Sequence, residues 1–149
     1  MTAKDIMTSN VVVVNKDATI KEIAEIFLKN RIGGVPVVDE ENKIVGIISE
    51  TDIIQKEKNV NVPSFINILQ GYIFFDSFKE VENDIRKIAA YKASDIMSKD
   101  VMTVNEDDSV DYVANQMINK SINRVPVVDE NNYIKGIICR YDIIKAMYN

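Results

Sequence analysis

Three polar residues near the middle of the chain could bind a ligand that carries hydroxyl and phosphate groups. Ser49, Thr51 and Asp52 stand at the start of a predicted helix. A carboxylate can accept hydrogen bonds from sugar hydroxyls, and donors at a helix N-terminus suit phosphate. The same residues could instead only cap the helix, since Asp is a strong N-cap residue and Ser and Thr often bond to nearby backbone. Spacing alone favours capping.

The same cluster returns 90 residues later in an altered form. Asp142 keeps the carboxylate, but Cys139 stands at the serine position and Tyr141 at the threonine position. A thiol is a weak donor and a tyrosine side chain is bulky. Arg124, which has a glycine as its counterpart, could compensate because a guanidinium is a good phosphate donor. An ordinary surface arginine is the alternative.

The two clusters belong to a long internal repeat. Residues 3–55 and 93–145 align without a gap, and 24 of the 53 aligned positions are identical. A repeat of about fifty residues is marginal as an independent core, so we expect each copy to bury its apolar face against the other. Any ligand site would then lie near a pseudo-twofold axis.

Each repeat predicts the order strand, helix, strand, strand, helix. The β-branched run 11–14 indicates a first strand, and Thr19 with Glu22 forms a capping box for the first helix. An apolar stripe at helical spacing follows: Ile20, Ile23, Ala24 and Phe27. The second repeat has the equivalent strand at 101–104, and Ser109 as a cap without the glutamate.

A hairpin and a short helix complete each repeat. The first hairpin is predicted at 35–38 and 44–48, and the second at 125–128 and 134–138. Pro36 and Pro126 lie inside the leading strand of each hairpin, so that strand either is at a sheet edge or turns its proline away from pairing. We expect Asp52 and Asp142 to be the N-caps of the last helices.

Residues 57–92 belong to neither repeat and are predicted to be a connector with one helix. The segment Pro63–Phe75 is unusually apolar, and Ser77 with Glu80 indicates a capped helix start. Two interpretations remain open: a connector packed on the core, or a gate or partner surface.

Composition excludes most other functions. The net charge of −5 and the lack of a basic run argue against nucleic acid as a main partner. Without histidine, and with one cysteine, a zinc site and a Ser–His–Asp triad are not expected. The sequence contains neither a glycine-rich phosphate loop nor a carboxylate pair at a spacing typical of acid–base catalysis, so an enzyme is not expected. No stretch approaches the ~20 apolar residues of a membrane span, and the single cysteine indicates a cytoplasmic protein.

The doubled pattern DIM, V, VPVVDE, GII and D closely resembles a pair of cystathionine-β-synthase (CBS) domains, a Bateman module. The resemblance implies an α+β fold of two βαββα repeats, at 1–56 and 93–149, packed sheet to sheet about a pseudo-twofold axis. It also implies two clefts between the repeats, which in many family members hold AMP, ADP, ATP or S-adenosylmethionine.

The family pattern gives roles to particular residues. Asp52 matches the aspartate that binds ribose, and Ser49 and Thr51 match hydroxyls that contact phosphate or ribose. The remaining implied nucleotide-binding positions are Val35, Pro36, Arg124, Val125, Pro126, Cys139 and Asp142. The valines and prolines would line the adenine slot, and Arg124 would meet phosphate.

The leading hypothesis is therefore a non-catalytic sensor that binds an adenine nucleotide and signals to a separate effector protein. The resemblance also implies a homodimer. The alternative is a ligand-free protein-interaction or dimerisation scaffold, in which both aspartates are only helix caps. Because the hydroxyl cluster is complete only in the first repeat, we expect unequal nucleotide occupancy.

Overall fold

The computed structural model of the protein describes residues 1–58 and 91–149. The predicted apolar segment Pro63–Phe75 and the predicted helix that begins at Ser77 lie outside the described residues.

Helices and strands follow the predicted α+β order in both repeats, with one added helix in front of each. The first repeat contains α1 (Ala3–Ile6), β1 (Val14–Asn15), α2 (Ile20–Asn30), β2 (Gly34–Val38), β3 (Ile44–Ser49) and α3 (Glu50–Lys58). The second contains α4 (Ala93–Ile96), β4 (Val104–Asn105), α5 (Val110–Asn119), β5 (Arg124–Val128), β6 (Ile134–Cys139) and α6 (Arg140–Tyr148). The strands form two three-stranded sheets, ordered β1-β2-β3 and β4-β5-β6. Each repeat thus has the βαββα core that the sequence predicts.

The first strand of each repeat is shorter than predicted. Strands β1 and β4 have only two residues each, instead of the four expected from the β-branched runs. Strand β4 pairs in parallel with β5 at Val104↔Val127 and Asn105↔Val128. The next residue of β5 in this register is Pro126, which has no N–H to continue the ladder. In the second repeat the pairing partner, and not the apolar run, therefore limits the length of β4.

Strands β2 and β5 are central in their sheets, so the edge position considered for Pro36 and Pro126 is wrong. The other expectation, a proline turned away from pairing, is correct for Pro126 on the side of β6. Pro126 lies opposite Ile137 on β6, and the Ile137 N–H and carbonyl both bond to Thr8, at 3.0 and 2.9 Å. Because both groups of Ile137 point away from β5, this is a non-hydrogen-bonded pair and the proline removes no bond from it.

The predicted capping box of α2 is confirmed. The Glu22 N–H donates to Thr19 Oγ1 at 3.2 Å, and the Thr19 N–H donates to Glu22 Oε2 at 2.9 Å. The apolar stripe of α2 is buried. In the second repeat Ser109 accepts from the Tyr112 N–H at 3.2 Å, as expected for a cap without a reciprocal glutamate.

The described chain divides into two compact units that do not coincide with the sequence repeats. One unit comprises residues 1–13, 38–44 and 100–149, and the other comprises 14–37 and 45–99. In the first unit the Ala3 N–H donates to the Asp108 carbonyl at 2.8 Å. In the second the Ala93 N–H donates to the Ala18 carbonyl, also at 2.8 Å. Each leading helix thus packs with the core of the other repeat.

A glycine on the last strand of each sheet makes room for a methionine that follows the leading helix. A Cβ atom added to Gly136 would lie 2.9 Å from Met7 Cβ, and one added to Gly46 would lie 3.0 Å from Met97 Cβ. Both distances are too short for ordinary carbon contacts. The glycine of the GII motif therefore provides space for the leading helix of the other repeat, α1 at Gly136 and α4 at Gly46.

Candidate functional site

The polar cluster of the first repeat lies where β3 passes directly into α3. Because α3 begins at Glu50, Asp52 is the third residue of the helix, and the prediction that it is the N-cap is wrong. The side chain instead reaches back to the end of the strand. Asp52 Oδ2 accepts from the Ser49 N–H at 2.8 Å and from Ser49 Oγ at 3.2 Å. This is the carboxylate half of a capping box.

Asp52 retains one oxygen that the cap does not use. The carboxylate is partly buried, and within residues 1–58 and 91–149 all its hydrogen bonds go to Oδ2. Oδ1 therefore has two lone pairs available as acceptors. Capping and ligand binding, posed as alternatives from the sequence, can be performed by different oxygens of the same side chain.

Thr51 stands apart from this pair. Its side chain lies exposed on the first turn of α3, whereas Ser49 is partly buried. A backbone contact that sequence reasoning missed fixes the start of the helix, because the Glu50 N–H donates to the Gly33 carbonyl at 3.1 Å. This bond ties the beginning of β2 to the beginning of α3. No side chain takes part in it, so residue types carry no signal for it.

The second repeat rebuilds the same junction with different side chains. The Cys139 N–H donates to Asp142 Oδ2 at 2.7 Å, and the Arg140 N–H donates to the Asn123 carbonyl at 3.2 Å. Arg124 is paired directly across the β5–β6 ladder with Cys139. The structure thus brings Arg124, Cys139 and Asp142 together, while Tyr141 is exposed. As with Asp52, the helix begins two residues before Asp142, so the prediction of Asp142 as N-cap is wrong.

The thiol of Cys139 is held in its neutral form. Burial raises its pKa above the ordinary value, and the neighbouring Asp142 carboxylate raises the pKa further. The Arg124 guanidinium acts in the opposite direction. A neutral, half-buried thiol is a weak hydrogen-bond donor, so this junction offers less to a phosphate at position 139 than Ser49 offers in the first repeat.

The residues predicted to line an adenine slot lie inside the cores. Val35 and Val125 have no accessible surface, and Pro36 and Pro126 have less than 2%. All four are in the strands that follow the Gly33 and Asn123 loops. Their contact with a base stays a prediction.

Among the described residues, no group of three or more His, Cys, Asp or Glu side chains is placed to hold a metal ion. Within the same ranges, every helix is too short or too polar to cross a bilayer.

Comparison with known proteins identifies the repeats. The model of the CBS domain family matches residues 3–59 and again residues 93–149. Protein MJ1426 of Methanocaldococcus jannaschii is 32% identical over 157 residues, which cover 99% of this chain and 91% of that protein.

Solved structures share the fold along nearly the whole chain. The CBS domain of a CBS-domain-containing membrane protein from Sphaerobacter thermophilus has a TM-score of 0.77 and 33% identity, covering 97% of this chain and 86% of that one. The CBS domain pair of protein MJ0100 was solved in complex with 5′-methylthioadenosine and S-adenosyl-L-methionine. It has a TM-score of 0.74 and 29% identity, and the match covers 99% of this chain and 95% of that one.

Other relatives contain a similar segment within a longer protein. The chain covers 68% of MJ1225, 38% of MJ1232 and 22% of L-aspartate semialdehyde sulfurtransferase, all from Methanocaldococcus jannaschii. The match to the sulfurtransferase therefore covers only a fraction of that enzyme. The two matches to the family model and the shared fold show that this chain belongs to the CBS domain family and carries a tandem pair of CBS domains.

Proposed function

We propose that the protein is a non-catalytic regulatory module that binds an adenosine compound and transmits its presence to a separate partner protein. The observation that carries this proposal is the Asp52 carboxylate, which caps α3 with Oδ2, whereas its Oδ1 makes no hydrogen bond within residues 1–58 and 91–149. Support also comes from protein MJ0100, a CBS domain pair 29% identical to this chain that was solved with 5′-methylthioadenosine and S-adenosyl-L-methionine.

The chemistry of the first repeat suits a nucleoside. Oδ1 of Asp52 can accept hydrogen bonds from the ribose 2′- and 3′-hydroxyls, a common role for an acidic residue. The Ser49 hydroxyl can turn from Asp52 toward a phosphate, and the exposed Thr51 hydroxyl is available for the same purpose. Both lie at the N-terminus of α3, where the helix dipole favours an anion. AMP, ADP and ATP fit this donor set.

The second repeat should bind differently. Asp142 provides the same carboxylate arrangement, but Cys139 lacks a good donor. Arg124 adds a positive charge beside it, which attracts phosphate and repels the sulfonium of S-adenosylmethionine. We therefore propose that the two sites differ in occupancy and in their preference for phosphate.

A stability measurement separates the sensor from a helix cap alone. A ligand that binds only the folded state raises the free energy of unfolding by about 2.7 kcal/mol at a hundredfold excess over its Kd. We expect at least one of AMP, ADP, ATP and S-adenosylmethionine to raise the melting temperature of the native protein. Asp52→Asn keeps an oxygen for the cap but loses the charge, so the shift should shrink while the unliganded protein stays folded.

The matched control is Asp142→Asn, which makes the same change at the equivalent position. A thermal shift that is equal in the native protein and both variants would exclude Asp52 and Asp142 as ligand contacts. Turnover of ATP above the level of Asp52→Asn would contradict the non-catalytic role.

The second candidate function is a ligand-free interaction scaffold. It is favoured by large aliphatic side chains that stand in solvent, such as Ile118 with 73% exposure. If all four compounds leave the melting temperature unchanged while the protein still self-associates, the scaffold explains the molecule better. We also propose that the protein forms a homodimer and works in the cytoplasm.

A further inference from the structure

The tip of the first hairpin is paired with the tip of the second. Lys43 and Tyr133 form an antiparallel bridge, and the Ile44 N–H donates to the Asn132 carbonyl at 3.1 Å. The side-chain amide of Asn132 donates to the Ile44 carbonyl at 3.3 Å. All four residues belong to the same compact unit, although the first hairpin tip comes from the first repeat and most of that unit comes from the second.

The bridge joins residues at the same position of the repeat. Lys43 and Tyr133 are separated by 90 residues, which is the offset between the two copies. We name residues 39–43 turn 1 and residues 129–133 turn 2. Each turn is thus opposite its own counterpart. If both copies had kept one residue type at this position, that side chain would face a second copy of itself.

The backbones of the two turns are alike. The N–H of the first residue donates to the carbonyl of the last residue, at 2.9 Å in turn 1 and 3.0 Å in turn 2. In both turns Oδ1 of the leading aspartate accepts from the N–H groups of the third and fifth residues. Asn42 and Asn132 both have a left-handed backbone, with φ of 65° and 69°. Backbone geometry therefore gives no means of distinguishing turn 1 from turn 2.

The two side chains at the bridge differ, and they are complementary. Nζ of Lys43 lies 5.4 Å from the centroid of the Tyr133 ring, within the distance of about 6 Å at which a cation is attracted to an aromatic face. Both residues are partly buried, so solvent and salt screen the attraction less than at a fully exposed site. Turn 1 supplies the cation and turn 2 supplies the ring.

Pairing of like turns would lose this contact. If turn 1 met turn 1 of a second chain, Lys43 would face Lys43, and like charges directly opposite each other destabilise a strand pair. If turn 2 met turn 2, Tyr133 would face Tyr133 and neither ring would have a cation. Pairing of turn 1 with turn 2 satisfies both side chains.

We propose that Lys43 and Tyr133 select the pairing of turn 1 with turn 2 and disfavour the pairing of either turn with its own copy from a second chain. Because the turn backbones are equivalent, the side chains provide the discrimination, and a repulsive like pair is part of it. The same contact fixes the start of β3 beside turn 2. This conformational device requires no ligand.

An exchange of the two residues measures the discrimination within one chain. Tyr133→Lys reproduces the lysine–lysine pair, and Lys43→Tyr reproduces the tyrosine–tyrosine pair. We expect each substitution alone to lower the equilibrium constant for folding in urea denaturation, and the two combined to recover most of the loss. The coupling should be on the order of tenfold in that constant. Additive effects of the two substitutions would overturn the proposal.

Conservative substitutions separate the cation–ring contact from packing alone. Lys43→Arg keeps the charge and Tyr133→Phe keeps the ring, so both should unfold near the urea concentration at which the native protein unfolds. Lys43→Met and Tyr133→Leu keep apolar volume without the charge or the ring, and both should unfold at lower urea. Equal stability of Lys43→Met and Lys43→Arg would contradict a cation–ring contact, and so would equal stability of Tyr133→Leu and Tyr133→Phe.

Disulfide formation tests which turns meet. The bond from Ile44 to Asn132 flanks the bridge, so Lys43 and Tyr133 form a close, non-hydrogen-bonded pair, which suits a disulfide. On a Cys139→Ser background, Lys43→Cys with Tyr133→Cys should form a disulfide within one chain under mild oxidation. Either cysteine variant alone should stay reduced at the same protein concentration. Linked dimers of a single variant that form as readily as the intrachain bond would contradict the pairing, and so would a double variant that stays reduced.

Discussion

The carboxylate of Asp52 has a structural role through one oxygen, and the binding role proposed above would use the other. Its Oδ2 holds the Ser49 N–H at 2.8 Å, and its Oδ1 makes no hydrogen bond with the described part of the chain. Asp142 makes the same backbone bond to Cys139 at 2.7 Å. Both aspartates therefore stabilise a helix start in the absence of a ligand, and a carboxylate fixed in this way is oriented before a ligand arrives.

The sequence predicts the members of the cluster better than their geometry. Ser49 and Asp52 lie within hydrogen-bond distance of each other, but the helix starts three residues earlier than predicted. Helix boundaries shift because strand β3 continues to Ser49 and leaves no loop before α3. The free oxygen of Asp52 depends on side-chain orientation, which the residue type alone does not determine.

The environment of Cys139 predicts a thiol that reacts slowly with alkylating reagents. Because burial raises its pKa, the thiolate fraction at neutral pH is smaller than in a free cysteine, and the thiolate is the reactive form. Alkylation of the folded protein by iodoacetamide should be slower than alkylation of glutathione at the same pH. Arg124→Ala should slow it further, since the guanidinium lowers the thiol pKa. A rate equal to or above that of glutathione would contradict this environment.

At the scale of the elements, the exchange of the leading helices is the main feature that the sequence did not reveal. The repeat boundaries follow the alignment at residues 3 and 93, whereas α1 packs in the unit of the second repeat and α4 in that of the first. An alignment reports which segments are alike and carries no information on which core each one joins. The hairpins and the caps of α2 and α5 depend on local residue types, and they were predicted correctly, whereas the N-caps of α3 and α6 were not.

Gly136→Ala tests the packing of the exchanged helix. The new Cβ would meet Met7, and overpacking of this type costs on the order of 1–3 kcal/mol in unfolding free energy. Combining Gly136→Ala with Met7→Ala should remove most of this penalty, because the two atoms no longer compete for one space. Chemical denaturation of the four proteins in this cycle measures the coupling. Additive effects of the two substitutions would show that Met7 does not occupy the position of the added Cβ.

The capping box of α2 provides a second test at this scale. Thr19→Ala removes the acceptor of the Glu22 N–H, and loss of such a cap typically costs about 1 kcal/mol of stability. Thr19→Ser keeps the hydroxyl and should be close to the native protein in urea denaturation. Equal losses for both substitutions would mean that the methyl group of Thr19, and not its oxygen, contributes the stability.

At the scale of the whole molecule, a duplicated backbone carries unequal side chains. Ser49, Glu50 and Thr51 are replaced by Cys139, Arg140 and Tyr141. The backbone bonds at both junctions are nevertheless alike, with Glu50 bonded to Gly33 and Arg140 bonded to Asn123. The duplication therefore preserves two strand–helix junctions with like backbone bonds, and the substitutions give the junctions different side-chain chemistry.

This asymmetry predicts two different affinities in one chain. Removal of the Arg124 charge by Arg124→Gln should weaken the binding of ATP more than the binding of S-adenosylmethionine. Of these two compounds only ATP carries phosphates that can contact the guanidinium. Equilibrium dialysis with each compound measures the ratio of the two affinities. An equal change for both compounds would remove Arg124 from the phosphate site.

Calorimetric titration of Asp52→Ala and Asp142→Ala beside the native protein tests the central claim most directly. We expect the native protein to bind an adenosine compound and Asp52→Ala to lose on the order of 1–3 kcal/mol at one site, the scale for a hydrogen-bond partner that carries a charge. Each 1.4 kcal/mol is a tenfold increase in Kd. Asp142→Ala, with the same loss of a cap, should leave that site intact. Absence of any binding below millimolar concentration, or equal binding by all three proteins, would contradict the account.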